Sequence, residues 1–208
     1  MSESLVNAFI LLFVVIDPIG VASLFCAITR GYSARAARAA ALRGVVVAFF
    51  IVLAFALGGS MLLRYLGVSM PAFTVAGGIL LFLLAVDMVV VRQSGLRTAT
   101  ASEQEEAEHK ADISVFPLAI PMIAGPGTLT TVLLLTGDHG WSRQTLEVTV
   151  LVVIVLCITL AMLLAARVIQ RLLGETGANV IVRLFGILLA ALAVQYVSNG
   201  IHQLALAP

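Results

Sequence analysis

Phe13-Val14-Val15-Ile16-Asp17-Pro18-Ile19-Gly20-Val21-Ala22 lies in the middle of an apolar run from Leu5 to Ile28, and Asp17-Pro18-Ile19-Gly20 interrupts that run. A second apolar run, Ile113 to Thr136, carries a comparable interruption at Ala124-Gly125-Pro126-Gly127, with Pro126 placed 108 residues after Pro18. Proline removes a helix hydrogen bond and clashes with the preceding turn, and glycine admits backbone angles that other residues avoid. Each run therefore reads as a broken helix. Unwound backbone is tolerated at membrane depth only where it is buried in protein or lines a wet cavity, so two breaks at matched positions predict a polar site between them.

The rest of the chain supports a bilayer setting. Of its 208 residues 61% are hydrophobic and 11% charged, with a mean hydropathy of +1.12, more apolar surface than a soluble domain of this length can bury. A net charge of +1 with scattered basic residues gives no footprint for nucleic acid. Six stretches reach the roughly 20 residues needed to cross a hydrocarbon core: Leu5–Ile28, Ala39–Leu63, Pro71–Val91, Ile113–Thr136, Val148–Ala166 and Val180–Ile201. They are continuously apolar rather than alternating, which argues against a strand-built barrel. Met1-Ser2-Glu3-Ser4 lacks the positive region of a secretory signal, so the first span is expected to be retained. Cys26 and Cys157 fall inside spans and read as packing residues.

Ten of the twelve Lys and Arg residues fall in or beside the 1-2, 3-4 and 5-6 connections, and only Arg64 and Arg143 lie on the other side. The positive-inside rule then makes those three connections cytoplasmic and both termini periplasmic, in a bacterial inner membrane. The 3-4 connection is rich in Glu and reads as a flexible joint.

That joint separates similar halves. The 108-residue shift that aligns the prolines also aligns Gly78-Ile79-Leu80-Leu81 with Gly186-Ile187-Leu188-Leu189, and Leu84-Ala85-Val86 with Leu192-Ala193-Val194. Because each half crosses three times, the second enters from the opposite side. The expected fold is an all-α membrane protein of six transmembrane helices in two inverted three-helix repeats, residues 1–92 and 113–208, joined by a polar linker at 93–112, with helices 1 and 4 broken.

The chemistry expected at the breaks follows from helix ends. A half-helix starting at Pro18 or Pro126 exposes amide groups and the positive end of its dipole, which favour a carboxylate. Gly20, Gly125 and Gly127 let a ligand approach the backbone, and Ser23, Thr128, Thr130 and Thr131 add hydroxyls that either bind substrate or bond back to a carbonyl one turn earlier. Asp17 is the only carboxylate deep in a span. It is a candidate helix cap, ammonium partner, or proton or sodium carrier. Asp87 and Gln195 occupy equivalent places and read as interfacial or helix-bonding groups, while Gly58-Gly59 and Gly77-Gly78 read as close helix packing.

Nothing points to an enzyme. His109, His139 and His202 have no metal-ligand spacing, and no serine has a Gly-x-Ser-x-Gly setting. No cofactor is expected, and the oligomeric state has no signature.

The string Pro117-Leu118-Ala119-Ile120-Pro121-Met122-Ile123-Ala124-Gly125-Pro126-Gly127-Thr128, with Asp17-Pro18, Arg183-Leu184 through Gly186, Val194-Gln195 and Gly200-Ile201, resembles the MarC family of integral membrane proteins over essentially the whole chain. The resemblance implies six transmembrane helices, a place in the lysine-exporter superfamily and, for members described as small neutral amino acid transporters, movement of glycine or alanine. It carries Asp17, Pro18, Ile19 and Gly20, and Gly125, Pro126, Gly127 and Thr128, over as substrate-binding breaks. The family accepts Asn as well as Asp before the first proline, which weakens an obligatory proton-carrying role for Asp17. The expected partners are thus a small zwitterionic substrate and the lipid bilayer, with proton or sodium coupling. The alternative is a non-transporting membrane protein whose breaks serve packing or partner binding. A hydrated cavity between the breaks favours the first, and a dry, close-packed one the second.

Overall fold

The computed structural model describes residues 2–29, 31–90, 113–137 and 142–206. The linker expected at 93–112 lies outside the described residues, so the proposed division into 1–92 and 113–208 has no structural boundary to compare with. Among these residues helical segments follow in chain order: α1 (Ser2–Ile16), α2 (Pro18–Ile28), α3 (Ala34–Tyr65), α4 (Met70–Val90), α5 (Ser114–Ile123), α6 (Pro126–Thr136), α7 (Arg143–Leu164) and α8 (Ala166–Leu206). The described residues contain no strand.

Among the described residues five segments are long and apolar enough to cross a membrane, with α1 and α2 counted as one span from Ser4 to Ile28. The pair α5 and α6 makes a sixth, bent by 54° at its break. Six spans agree with the hydropathy reading.

Their ends are set by local chemistry. Ser33 and Ser142 cap α3 and α7, accepting hydrogen bonds from the Ala36 amide at 3.2 Å and the Thr145 amide at 3.1 Å; such caps contribute about 1 kcal/mol each. They start α3 at Ala34 and α7 at Arg143, ahead of the expected Ala39 and Val148, because a cap fixes a helix start whether or not the first turn is apolar. The sixth span is also longer than Val180–Ile201. Helical backbone begins at Ala166 and is interrupted once, at Gly174, whose φ of 63° suits glycine.

Lipid offers no hydrophobic drive between helices, so association rests on close backbone approach at small residues. Gly78 and Gly186 bring α4 and α8 together. A methyl group on Gly78 would stand 3.0 Å from the Ala193 carbonyl and 2.7 Å from Val197; one on Gly186 would stand 3.0 Å from the Ala85 carbonyl and 2.9 Å from Val89. Gly200 is pressed as closely on Pro71 and Val75. Gly59 and Gly77 also pack closely, whereas Gly58 faces open space. Large apolar side chains such as Phe50, Ile79, Leu146 and Ile187 point outward and are exposed, as a lipid-facing surface requires.

Each broken span packs against helices that lie on the other side of residues 93–112 in the sequence. α3 and α4 pack on α6, and α3 also on α5, while α7 and α8 pack on α1 and α2.

Candidate functional site

The first break is built around Asp17. Its backbone adopts the left-handed conformation, φ 47° and ψ 71°, which a short polar side chain tolerates better than an apolar one. Pro18 has no N–H to return to the Val14 carbonyl. The Gly20 amide turns instead to the carboxylate of Asp17 at 3.1 Å, which caps α2. Asp17 is fully buried, and a methyl group on Gly20 would collide with its carboxylate. The helix-cap role considered for Asp17 is therefore the one its geometry displays. Chain direction is nearly preserved, with the Asp17 amide donating to Phe13 and the Val21 amide to Asp17.

The second break is more open in form. A proline disfavours helical angles at the residue before it, and Phe116 and Ile120, which precede Pro117 and Pro121, are extended at φ −132° and −125°. Both of these X-Pro bonds are cis. The turns of α5 are wide, with the Leu118 and Ala124 amides bonding five residues back, to Ile113 and Ala119. At Gly125 the chain becomes fully extended and then enters α6 at Pro126. Unlike α2, α6 begins without a side-chain cap. The Thr128 hydroxyl reaches back across the break and donates to the Ile123 carbonyl at 2.8 Å. Gly125 has no room for a side chain because the Pro121 carbonyl abuts it.

The second break packs against the end of α1 just before the first. A methyl group on Gly127 would lie 3.4 Å from Val15, two residues before Asp17, and 2.9 Å from Leu84 of α4. Beside this contact, at the second break, is a crevice of about 20 Å³ lined by Val15, Pro121, Gly125, Pro126, Gly127 and Thr128, among others. A single water needs about 10–15 Å³, so this crevice admits one small group and not an amino acid.

The expected site residues divide accordingly. Gly125, Pro126, Gly127 and Thr128 line the crevice, whereas Asp17, Pro18, Ile19, Gly20, Ser23 and Thr131 do not. Asp17, Pro18, Gly20, Gly127, Thr128, Thr130 and Thr131 are buried, Ile19 and Ser23 are half-buried, and Pro126 is exposed. Thr131 lies one turn beyond Gly127 on the same face of α6, and its buried hydroxyl makes no hydrogen bond among the described residues. Thr130 instead faces α4 at Gly77. The contributions of Val15, Leu84 and Pro121 were missed by sequence reading; the two prolines of α5 carried a usable signal, and the apolar contacts carried none. Gln195 bonds Asn199 on its own helix at 2.8 Å.

Long apolar helices with outward-facing aliphatic side chains, crossing around two spans broken at adjoining points, define a polytopic integral membrane protein. The model of the "MarC family integral membrane protein" matches residues 2–205, and the chain belongs to that family. It is 36% identical to the UPF0056 membrane protein YvbG of Bacillus subtilis, over 97% of this chain and 95% of that one. It is 38% identical to a UPF0056 membrane protein of Aquifex aeolicus, over 96% and 92%. It is 30% identical to the UPF0056 inner membrane protein YhgN of Escherichia coli, over 96% and 97%. No solved structure matches the chain.

Proposed function

We propose that the protein is an alternating-access carrier of small neutral zwitterions such as glycine or alanine, in a bacterial inner membrane with both termini periplasmic. It is read as a transporter and not an enzyme. The observation that carries the reading is the asymmetry of two adjoining helix breaks. α2 is already capped by the Asp17 carboxylate, while the first amides of α6 have no side-chain cap and border a crevice. Uncapped amides at the positive end of a helix suit a substrate carboxylate. Asp17 is buried outside the crevice, so in this reading the rearrangement that admits the substrate also brings its carboxylate to the ammonium group, with proton or sodium coupling through the same carboxylate.

The exchange of contacts between α4 and α8 supports inverted repeats: the 108-residue shift converts Gly78 facing Ala193 and Val197 into Gly186 facing Ala85 and Val89. Rocking of one half against the other must then enlarge the crevice before an amino acid enters.

The test is counterflow of labelled glycine and alanine in proteoliposomes, beside an Asp17→Asn variant and empty liposomes. Uptake above the empty control supports a carrier. Its absence with demonstrably folded protein favours the second reading, a non-transporting membrane protein whose breaks serve packing. The small volume at the second break is the observation on that side.

A further inference from the structure

A separate cavity of about 130 Å³ lies where α2 ends, α3 begins, α7 ends and α8 begins. Its volume is on the order of ten times what one water requires. The floor is apolar, from the buried side chains of Phe25 and Leu163, and among the described residues the charged ones lining it are Arg38 and Arg167. Among the described residues no carboxylate lines it. Arg167 is held in place by a hydrogen bond from its Nη2 to the Tyr32 carbonyl at 3.0 Å, which leaves most of its N–H donors available. Arg38 comes from the beginning of α3, where the helix dipole adds positive potential.

Two guanidinium groups from opposite halves of the chain, lining one cavity with no acid among the described residues beside them, suit an anion. We propose that this cavity binds a phosphate group, carried by an anionic phospholipid or free in solution. Guanidinium forks match phosphate oxygens in pairs. The lysine and arginine count places this end of the bundle at the cytoplasmic leaflet, where basic pockets between transmembrane helices meet anionic headgroups. The apolar floor suits the glycerol and first methylenes of a lipid below its phosphate. The site lies at the opposite end of α2 from the first break, shares no lining residue with the crevice, and stands whether or not the protein transports amino acids.

The experiment is native mass spectrometry of the purified full-length protein, titrated separately with phosphatidylglycerol, phosphatidylethanolamine and inorganic phosphate. Wild type is compared with R38Q/R167Q and with R64Q, which alters an arginine at the far end of α3. Phosphatidylglycerol is expected to bind wild type and R64Q alike and the double variant about tenfold or more weaker, as loss of charge-assisted bonds predicts. Competition by inorganic phosphate, or binding of phosphate without lipid, assigns the same cavity to a soluble anion. Equal phosphatidylglycerol and phosphate binding by wild type and the double variant overturns the proposal, as does failure of wild type to retain either. If the double variant does not fold, R38Q alone, which leaves the Arg167 to Tyr32 bond intact, must show the weakening.

Discussion

Gly78 and Gly186 stand in the same relation to each other's helix: the position of a methyl group on Gly78 is 3.0 Å from the Ala193 carbonyl, and that on Gly186 is 3.0 Å from the Ala85 carbonyl. Ala193 lies 108 residues after Ala85, as Gly186 does after Gly78. Such an exchange is what an isologous contact produces. The obstacles are backbone atoms and Cβ or methyl groups rather than the ends of flexible side chains, so neither helix can yield locally. Gly78→Val and Gly186→Val are therefore expected to destabilise the fold by similar amounts, about 1–3 kcal/mol as overpacking generally does. Thermal unfolding in detergent measures both, and a neutral result at one position beside a large loss at the other would break the equivalence.

The fold was legible where a local rule sufficed. Composition and run length revealed the spans, and Pro18 and Pro126 located the breaks, because a missing N–H is a property of one residue. A second local rule, that a proline restricts the residue before it, applied to Pro117 and Pro121, would have revealed the extended backbone at Phe116 and Ile120 as well. Serine caps at Ser33 and Ser142 were equally readable and would have placed two helix starts. What sequence could not supply is partnership. That Val15 of α1 lies over Gly127 of α6, or that Arg38 and Arg167 share a cavity, depends on how the spans cross, and apolar side chains in lipid carry little information about their neighbours.

Asp17 combines a left-handed backbone with a side-chain cap, and the two demands can be separated. Asparagine keeps an acceptor for the Gly20 amide and tolerates φ 47°, whereas alanine supplies neither. Asp17→Asn is expected to stay within a few tenths of a kcal/mol of wild-type stability, and Asp17→Ala to lose about 1–3 kcal/mol from the cap and backbone together. Comparable melting temperatures for the two variants would show that the cap contributes nothing. In proteoliposomes, loss of pH-gradient dependence in Asp17→Asn would assign the coupling proton to this carboxylate, and retained dependence would exclude it.

Gly127 lines the crevice, and a side chain there would meet Val15 of α1 and Leu81 and Leu84 of α4. The atoms it would strike are side-chain methyl groups that can shift by a few tenths of an ångström. Gly127→Val is therefore expected to insert and fold with a loss of roughly 1–3 kcal/mol, while blocking the crevice and abolishing amino acid counterflow. Wild-type counterflow by a folded Gly127→Val protein would separate the crevice from any transport route.

Thr131 distinguishes a working site from a packing device, because its hydroxyl is buried and makes no hydrogen bond among the described residues. Valine has nearly the same shape without the hydroxyl, and removing an unsatisfied buried polar group is neutral or stabilising. If the breaks serve packing alone, Thr131→Val should raise or leave unchanged the melting temperature and alter nothing else. If α6 opens toward a zwitterion, the hydroxyl acquires a partner in that state, and the same variant should bind glycine or alanine about fivefold to tenfold more weakly, the loss of one hydrogen bond. Concentration-dependent counterflow beside a melting curve reads both effects from one preparation, and an undiminished apparent affinity would remove Thr131 from the substrate path.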